Sequence, residues 1–162
     1  QIKNNIRSDV YTDSEGTEFY VAFPYNDNKN QPGQNLAIYV TSRVNNVVTV
    51  SNSVLGLKIT KPVAANETVE FSTVKGGLGW DVELYDFETE SNAGIKITSE
   101  QPVSVFCLNS KNVSSEGYMA IPTRNWGTDY IHNSFYDFDE VREWAGGFVI
   151  LAKEDQTQVS IK

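Results

Sequence analysis

The feature that most restricts how this chain folds is a period of two in its apolar residues. It recurs in short runs broken by Asn, Gly and Pro. Such runs are the signature of half-buried strands separated by turns. Phe19, Val21 and Phe23 alternate with Tyr20 and Ala22, and Pro24 ends the run. Leu36, Ile38 and Val40 form the next, and Val48 and Val50 follow the turn at Asn45-Asn46. Leu55, Leu57 and Ile59 make a strand stopped at Pro62, and Val69 with Phe71 makes one closed by Gly76, Gly77 and Gly79. Trp80, Val82 and Leu84 read as another, and Ile95 with Ile97 follows Asn92-Ala93-Gly94. Val103, Val105 and Cys107 share one face, with Phe106 and Leu108 on the other. A strand apolar on both faces belongs at a sheet centre. Tyr118, Ala120 and Pro122 suggest a short strand, as do Tyr130 and Ile131. Phe148, Ile150 and Ala152, a turn at Asp155-Gln156, then Val159 and Ile161 read as a terminal hairpin.

Composition points the same way. The 18 Val, 10 Ile and 12 Thr far outnumber 7 Leu, 8 Ala and 1 Met. β-Branched side chains lose rotamer freedom in helices and fit pleated sheets. The predicted fold is therefore all-β, an antiparallel two-sheet β-sandwich of roughly ten to twelve short strands. Residues 1–15 are expected to be an extended lead-in, since Asn4, Asn5, Ser8 and Asp9 are poor helix formers. Residues 16–162 are expected to be a single domain excised from a larger surface protein: no apolar leader opens the chain, and residue 1 is Gln.

Charge narrows the partners. There are 13 Lys and Arg against 21 Asp and Glu, a net charge of -8. That balance disfavours nucleic acid, which requires clustered cations, and polybasic contact with a membrane surface. No run approaches the roughly 18 apolar residues of a membrane helix. A single cysteine, Cys107, makes no internal disulfide.

Signals for chemistry are sparse. His132 and Cys107 are the only residues of their kind, too few for the usual zinc ligand sets. Calcium has better donors: Asp137, Asp139 and Glu140 crowd one loop, and Asp81, Asp86, Glu88 and Glu90 form a second acidic group. Calcium binding by Asp137, Asp139 and Glu140 is a weak expectation, because solvated acidic loops are common; no cofactor is otherwise implied. The chain carries neither a Gly-x-Ser-x-Gly elbow nor a phosphate-binding loop. Gly76-Gly77-Leu78-Gly79 precedes a strand and reads as a turn. Asp137 and Glu140 make a carboxylate pair of the sort glycosidases use, a pairing that any chain this acidic offers. A non-catalytic role is the expectation.

Aromatic residues carry more. The stretch from Trp126 to Trp144 also holds Tyr130, Phe135, Tyr136 and Phe138. Trp and Tyr are enriched at binding hot spots, and an aromatic platform beside acids also stacks sugar rings. Trp126, Tyr130, Tyr136, Asp137, Asp139 and Trp144 are the candidate contact patch; the bland alternative is that these rings fill the core. Two sequons, at Asn66 and Asn112, would accept N-glycans in a eukaryotic secretory setting.

Four stretches resemble a known family: Gly16 to Phe23, Gly94 to Val105, Ser114 to Pro122 running on to Gly127-Thr128-Asp129-Tyr130, and Phe148 to Thr157. In order and spacing they are similar to the N-terminal domain of the IgG Fc-binding protein family. The resemblance implies a secreted or surface-displayed β-rich module of large mucus-associated, adhesive or bacterial surface proteins. It brings no catalytic residues. The expected function is extracellular adhesion or recognition of a protein or glycan on a host, cell or mucus surface; the alternative is a structural spacer.

Overall fold

The computed structural model describes residues 14–26, 35–112, 114–134 and 146–161. Seven strands follow in chain order: β1 (Glu15–Val21), β2 (Asn35–Ser42), β3 (Asn46–Asn52), β4 (Leu57–Val63), β5 (Glu67–Ser72), β6 (Ile95–Ser110) and β7 (Ser115–Met119). Every strand pairing is antiparallel. The order is β4-β3-β6-β2-β5, with β1 and β7 also on β6. The sheet is nearly closed on itself.

The long strand β6 organises the whole. Along one edge it pairs β2 at residues 103–110 and then β3 at residues 96–99. Along the other it pairs β7 at residues 106–110 and then β1. Opposite β1 the register jumps, from Gly16 facing Val103 to Glu18 facing Thr98. The extra residues of β6 end at Pro102, which has no N–H for the ladder. Such a bulge bends a strand, which lets one strand serve both halves of a curled sheet. Asn46 secures the bend, donating from Nδ2 to the Gln101 carbonyl at 2.8 Å and accepting the Gln101 N–H at 3.2 Å.

Alternation fills the interior. Phe19 and Val21, Ile38 and Val40, Val48 and Val50, Ile95 and Ile97, and Val103, Val105 and Cys107 are all buried, with Phe71 from β5. The all-β, antiparallel expectation therefore holds, and so does the central place of the 103–107 run.

Several finer expectations do not hold. The described residues form seven strands of one nearly closed sheet, not two stacked sheets of ten to twelve. Two predicted strands, at Ile95–Ile97 and Val103–Cys107, are halves of β6. The run at Trp80 begins with a 3-10 turn over Trp80–Val82; Val82 is still buried, so burial gave the apolar spacing without a strand. Neither the 148–152 run, the 159–161 run nor Tyr130–Ile131 is a strand. The apolar side chains of 148–150 are half exposed, so their alternation reflects no buried ladder. Pro62 does not stop its strand, because β4 is an edge where a missing N–H is tolerated. The outer face of β6 is also less apolar in its environment than predicted, since Phe106 is 43% exposed.

Candidate functional site

The two strands on the same edge of β6 do not pair with each other among the described residues, and the gap between them is a groove. After Val21 the chain continues through Ala22 and Pro24, while β7 runs on through Ala120 and Ile121. Tyr118 joins the two sides: its hydroxyl donates to the Ala22 carbonyl at 2.7 Å and accepts the Ala22 N–H at 3.1 Å. Burial pushes the Tyr118 hydroxyl pKa well above its ordinary value. It therefore stays a protonated donor at all physiological pH.

The groove encloses about 330 Å³ and is lined by Tyr20, Ala22, Pro24, Tyr118, Met119, Ala120, Ile121 and Trp126, with Val149 and Leu151 of the C-terminal stretch. Its walls are mainly apolar. Met119 and Ile121 are more than half exposed. Trp126 is held in place: its ring meets Tyr20 at 6.1 Å between centroids, and its Nε1 donates to the Ile121 carbonyl at 3.0 Å. Just beyond, the Tyr130 hydroxyl accepts the Gly127 N–H at 3.0 Å, leaving the ring 73% exposed. His132 packs on Phe148 at 5.1 Å.

A charged rim borders this surface. Glu18 binds Lys96 at 2.8 Å and Lys153 at 2.9 Å, and accepts the Thr123 hydroxyl at 2.9 Å. Lys96 also lies over the Tyr20 ring at 5.4 Å. The bonds from Lys96 and Lys153 hold the Glu18 carboxyl at about 2, against an ordinary 4.5. A depressed carboxyl pKa contributes stability above the unfolded value and loses it as pH falls towards the folded one. The contribution should thus fade between about pH 4.5 and 2. In acid titrations followed by tyrosine and tryptophan fluorescence, Glu18→Gln is expected to be less acid-sensitive than wild type across that window. A slope identical to wild type would refute the assignment.

Pro24 connects the groove to a buried polar cluster at the end of β6. Lys111 Nζ meets Glu83 Oε1 at 2.8 Å, with both side chains almost fully buried. Asn109 Nδ2 donates to that same oxygen and to the Pro24 carbonyl, both at 3.0 Å. The Tyr85 hydroxyl donates to Glu83 Oε2. Asn26 Nδ2 donates to the Asn109 carbonyl at 2.9 Å, and Ser114 Oγ donates to Asn26 Oδ1. Lys111 Nζ sits over the rings of Tyr25 and Tyr85, at 5.2 and 5.8 Å. Burial pushes the Glu83 pKa up, but the hydrogen bonds from Lys111, Tyr85 and Asn109 outweigh it and leave the carboxyl below its ordinary value.

Of the predicted patch, Trp126 lines the groove and Tyr130 stands beside it. Tyr136, Asp137, Asp139 and Trp144 lie outside the described residues, as does Glu140. Asp81, Asp86, Glu88 and Glu90 are exposed, and among the described residues no three His, Cys, Asp or Glu side chains gather as metal ligands do. Asn66 is exposed with φ 63, and Asn112 is exposed beyond β6. Cys107 is buried, which pushes its thiol up to about 12 and leaves it a poor nucleophile. No helix among the described residues is long and apolar enough to cross a membrane.

The groove walls Tyr20, Tyr118 and Met119 lay outside the predicted patch, as did the whole polar cluster. A family model described as IgGFc binding protein matches residues 11–161. No curated protein and no solved structure matches the chain.

Proposed function

Since the chain belongs to the IgGFc-binding protein family, we propose that it is an extracellular protein-recognition module that engages its partner through the groove between β1 and β7. One observation carries this reading: an open apolar groove whose rings are fixed in advance. Tyr20, Tyr118 and Trp126 are each held by a ring or hydrogen-bond contact before any partner arrives. Rings pre-positioned in this way lose little side-chain entropy on binding, and Tyr and Trp dominate interface energetics. Exposed Met119, Ile121 and Tyr130 extend the apolar surface, while Glu18, Lys96 and Lys153 supply a polar rim. The module works as one domain of a larger surface protein, and Asn66, on the β4–β5 turn, accepts an N-glycan in a eukaryotic host without touching the groove.

The family description supplies the first probe, the Fc fragment of immunoglobulin G. Surface plasmon resonance of the purified chain over immobilised Fc is expected to give saturable binding that Trp126→Ala weakens about 30-fold or more, the loss of a hot-spot side chain of about 2 kcal/mol. The circular dichroism spectrum should stay that of wild type. Binding to mucin glycans alone would move the partner class from protein to carbohydrate. Binding to Fc that ignores Trp126→Ala would exclude the groove.

A further inference from the structure

The buried cluster at the end of β6 plays no part in the recognition surface, yet it brings together an amine, a primary amide and a carboxylate that touches both. The inward face of β6 runs Val103, Val105, Cys107, Asn109, and continues in step to Lys111, so Asn109 and Lys111 project side by side. Glu83 Oε1 accepts from Lys111 Nζ at 2.8 Å and from Asn109 Nδ2 at 3.0 Å. Lys111, Glu83 and Asn109 are each at least 95% buried. The Asn109 amide nitrogen donates to two acceptors, but its carbonyl oxygen, Oδ1, is buried without a hydrogen-bond partner. An amide carbonyl lacking hydrogen bonds is an uncommon and costly arrangement in a folded protein. The Tyr25 and Tyr85 rings flank the amine.

We propose that Lys111 and Asn109 become joined by a side-chain amide bond that forms within the folded protein, with Glu83 as the proton relay. Glu83 takes a proton from the Lys111 ammonium, freeing the Nζ lone pair. Nζ attacks Asn109 Cγ, forming the new C–N bond. Glu83 passes that proton to Asn109 Nδ2 as the Cγ–Nδ2 bond breaks, then takes the second proton that Nζ sheds as the amide forms and hands it to the departing ammonia, so Nδ2 leaves as ammonium. The amide carbon stays at the same oxidation level, and the carboxylate ends as it began, so no oxidant, reductant or cofactor is needed. The ammonium carries away the charge that Lys111 held, and a neutral secondary amide replaces a buried cation. Holding both reactants against one base in a water-poor site supplies the proximity such a step requires. Asn26 is the poorer electrophile here, because its Nδ2 donates to the Asn109 and Ser114 carbonyls instead of to the carboxylate.

The intact mass of the purified chain tests this directly. The expected mass is below the sequence value by one ammonia. An acylated Lys111 is no longer a trypsin site, so residues 97–124 are expected as one peptide lighter by one ammonia. Lys111→Arg, which keeps a cation against Glu83, and Glu83→Gln should each restore the sequence mass of this region. An N-terminal Gln1 that cyclises also loses ammonia, but in the N-terminal peptide, so the position of the deficit decides. Release of separate, full-mass 97–111 and 112–124 peptides would overturn the proposal, as would a link mapped to Asn26.

Discussion

Replacing Glu83 with alanine is expected to destabilise the domain by about 3–5 kcal/mol, the cost of stranding a buried partner charge. Glu83 and Lys111 have side chains almost wholly removed from water and 2.8 Å apart. Without the carboxylate, the Lys111 ammonium loses its charge partner at 2.8 Å while its side chain stays out of water. Tyr85 and Asn109 lose an acceptor at the same time. Urea unfolding followed by tryptophan fluorescence gives the number. Substituting both partners, Glu83→Leu with Lys111→Met, is expected to cost less than Glu83→Ala, because no charge is left behind. A single-variant loss under about 1 kcal/mol would mean that water reaches the pair.

The second large effect is expected at Phe19. Its ring is fully buried in the core, on a strand whose one strand partner among the described residues is β6. Phe19→Ala should cost about 3–5 kcal/mol through lost burial and the cavity left behind. Phe19 lies next to Tyr20, which faces outward into the groove. Fc binding should therefore weaken as β1 loosens, but recover at lower temperature or in added osmolyte, where Trp126→Ala would not. A stability loss below about 1 kcal/mol would show that the core collapses around the gap.

How far the sequence speaks for itself differs between core and site. The strands that bury one clean face, such as β1 with Phe19 and Val21, or β3 with Val48 and Val50, are legible as alternation. The bend in β6 is not, because Ser99-Glu100-Gln101-Pro102 looks like a turn between two strands until its pairing with β1 is known. The 148–152 run misleads in the opposite sense, alternating without any ladder. At the site, Trp126 and Tyr130 stand out by residue type alone. Tyr20 and Tyr118 become groove walls only because β1 and β7 line the same edge of β6, which brings Tyr118 to Ala22, 96 positions away. The buried cluster did leave a trace. The alternation Val103, Val105, Cys107 carries straight on to Asn109 and Lys111, and following it past the last apolar residue points to a polar group inside.

The shared strand β6 also fixes when this protein can fold. Four of the six other strands, β1, β2, β3 and β7, pair with it, and three of these four are made before it. During synthesis β1 and β2 leave the ribosome with their main partner still untranslated, and of the strand pairs among the described residues β3–β4 and β2–β5 are the ones that can form before it. A contact pattern so dominated by distant pairings belongs to the slow end of folding rates, milliseconds to seconds. Until β6 arrives, open strand edges are available to neighbouring chains. Any need for chaperones during synthesis would then follow from the order of the strands rather than from weakness of the finished sheet.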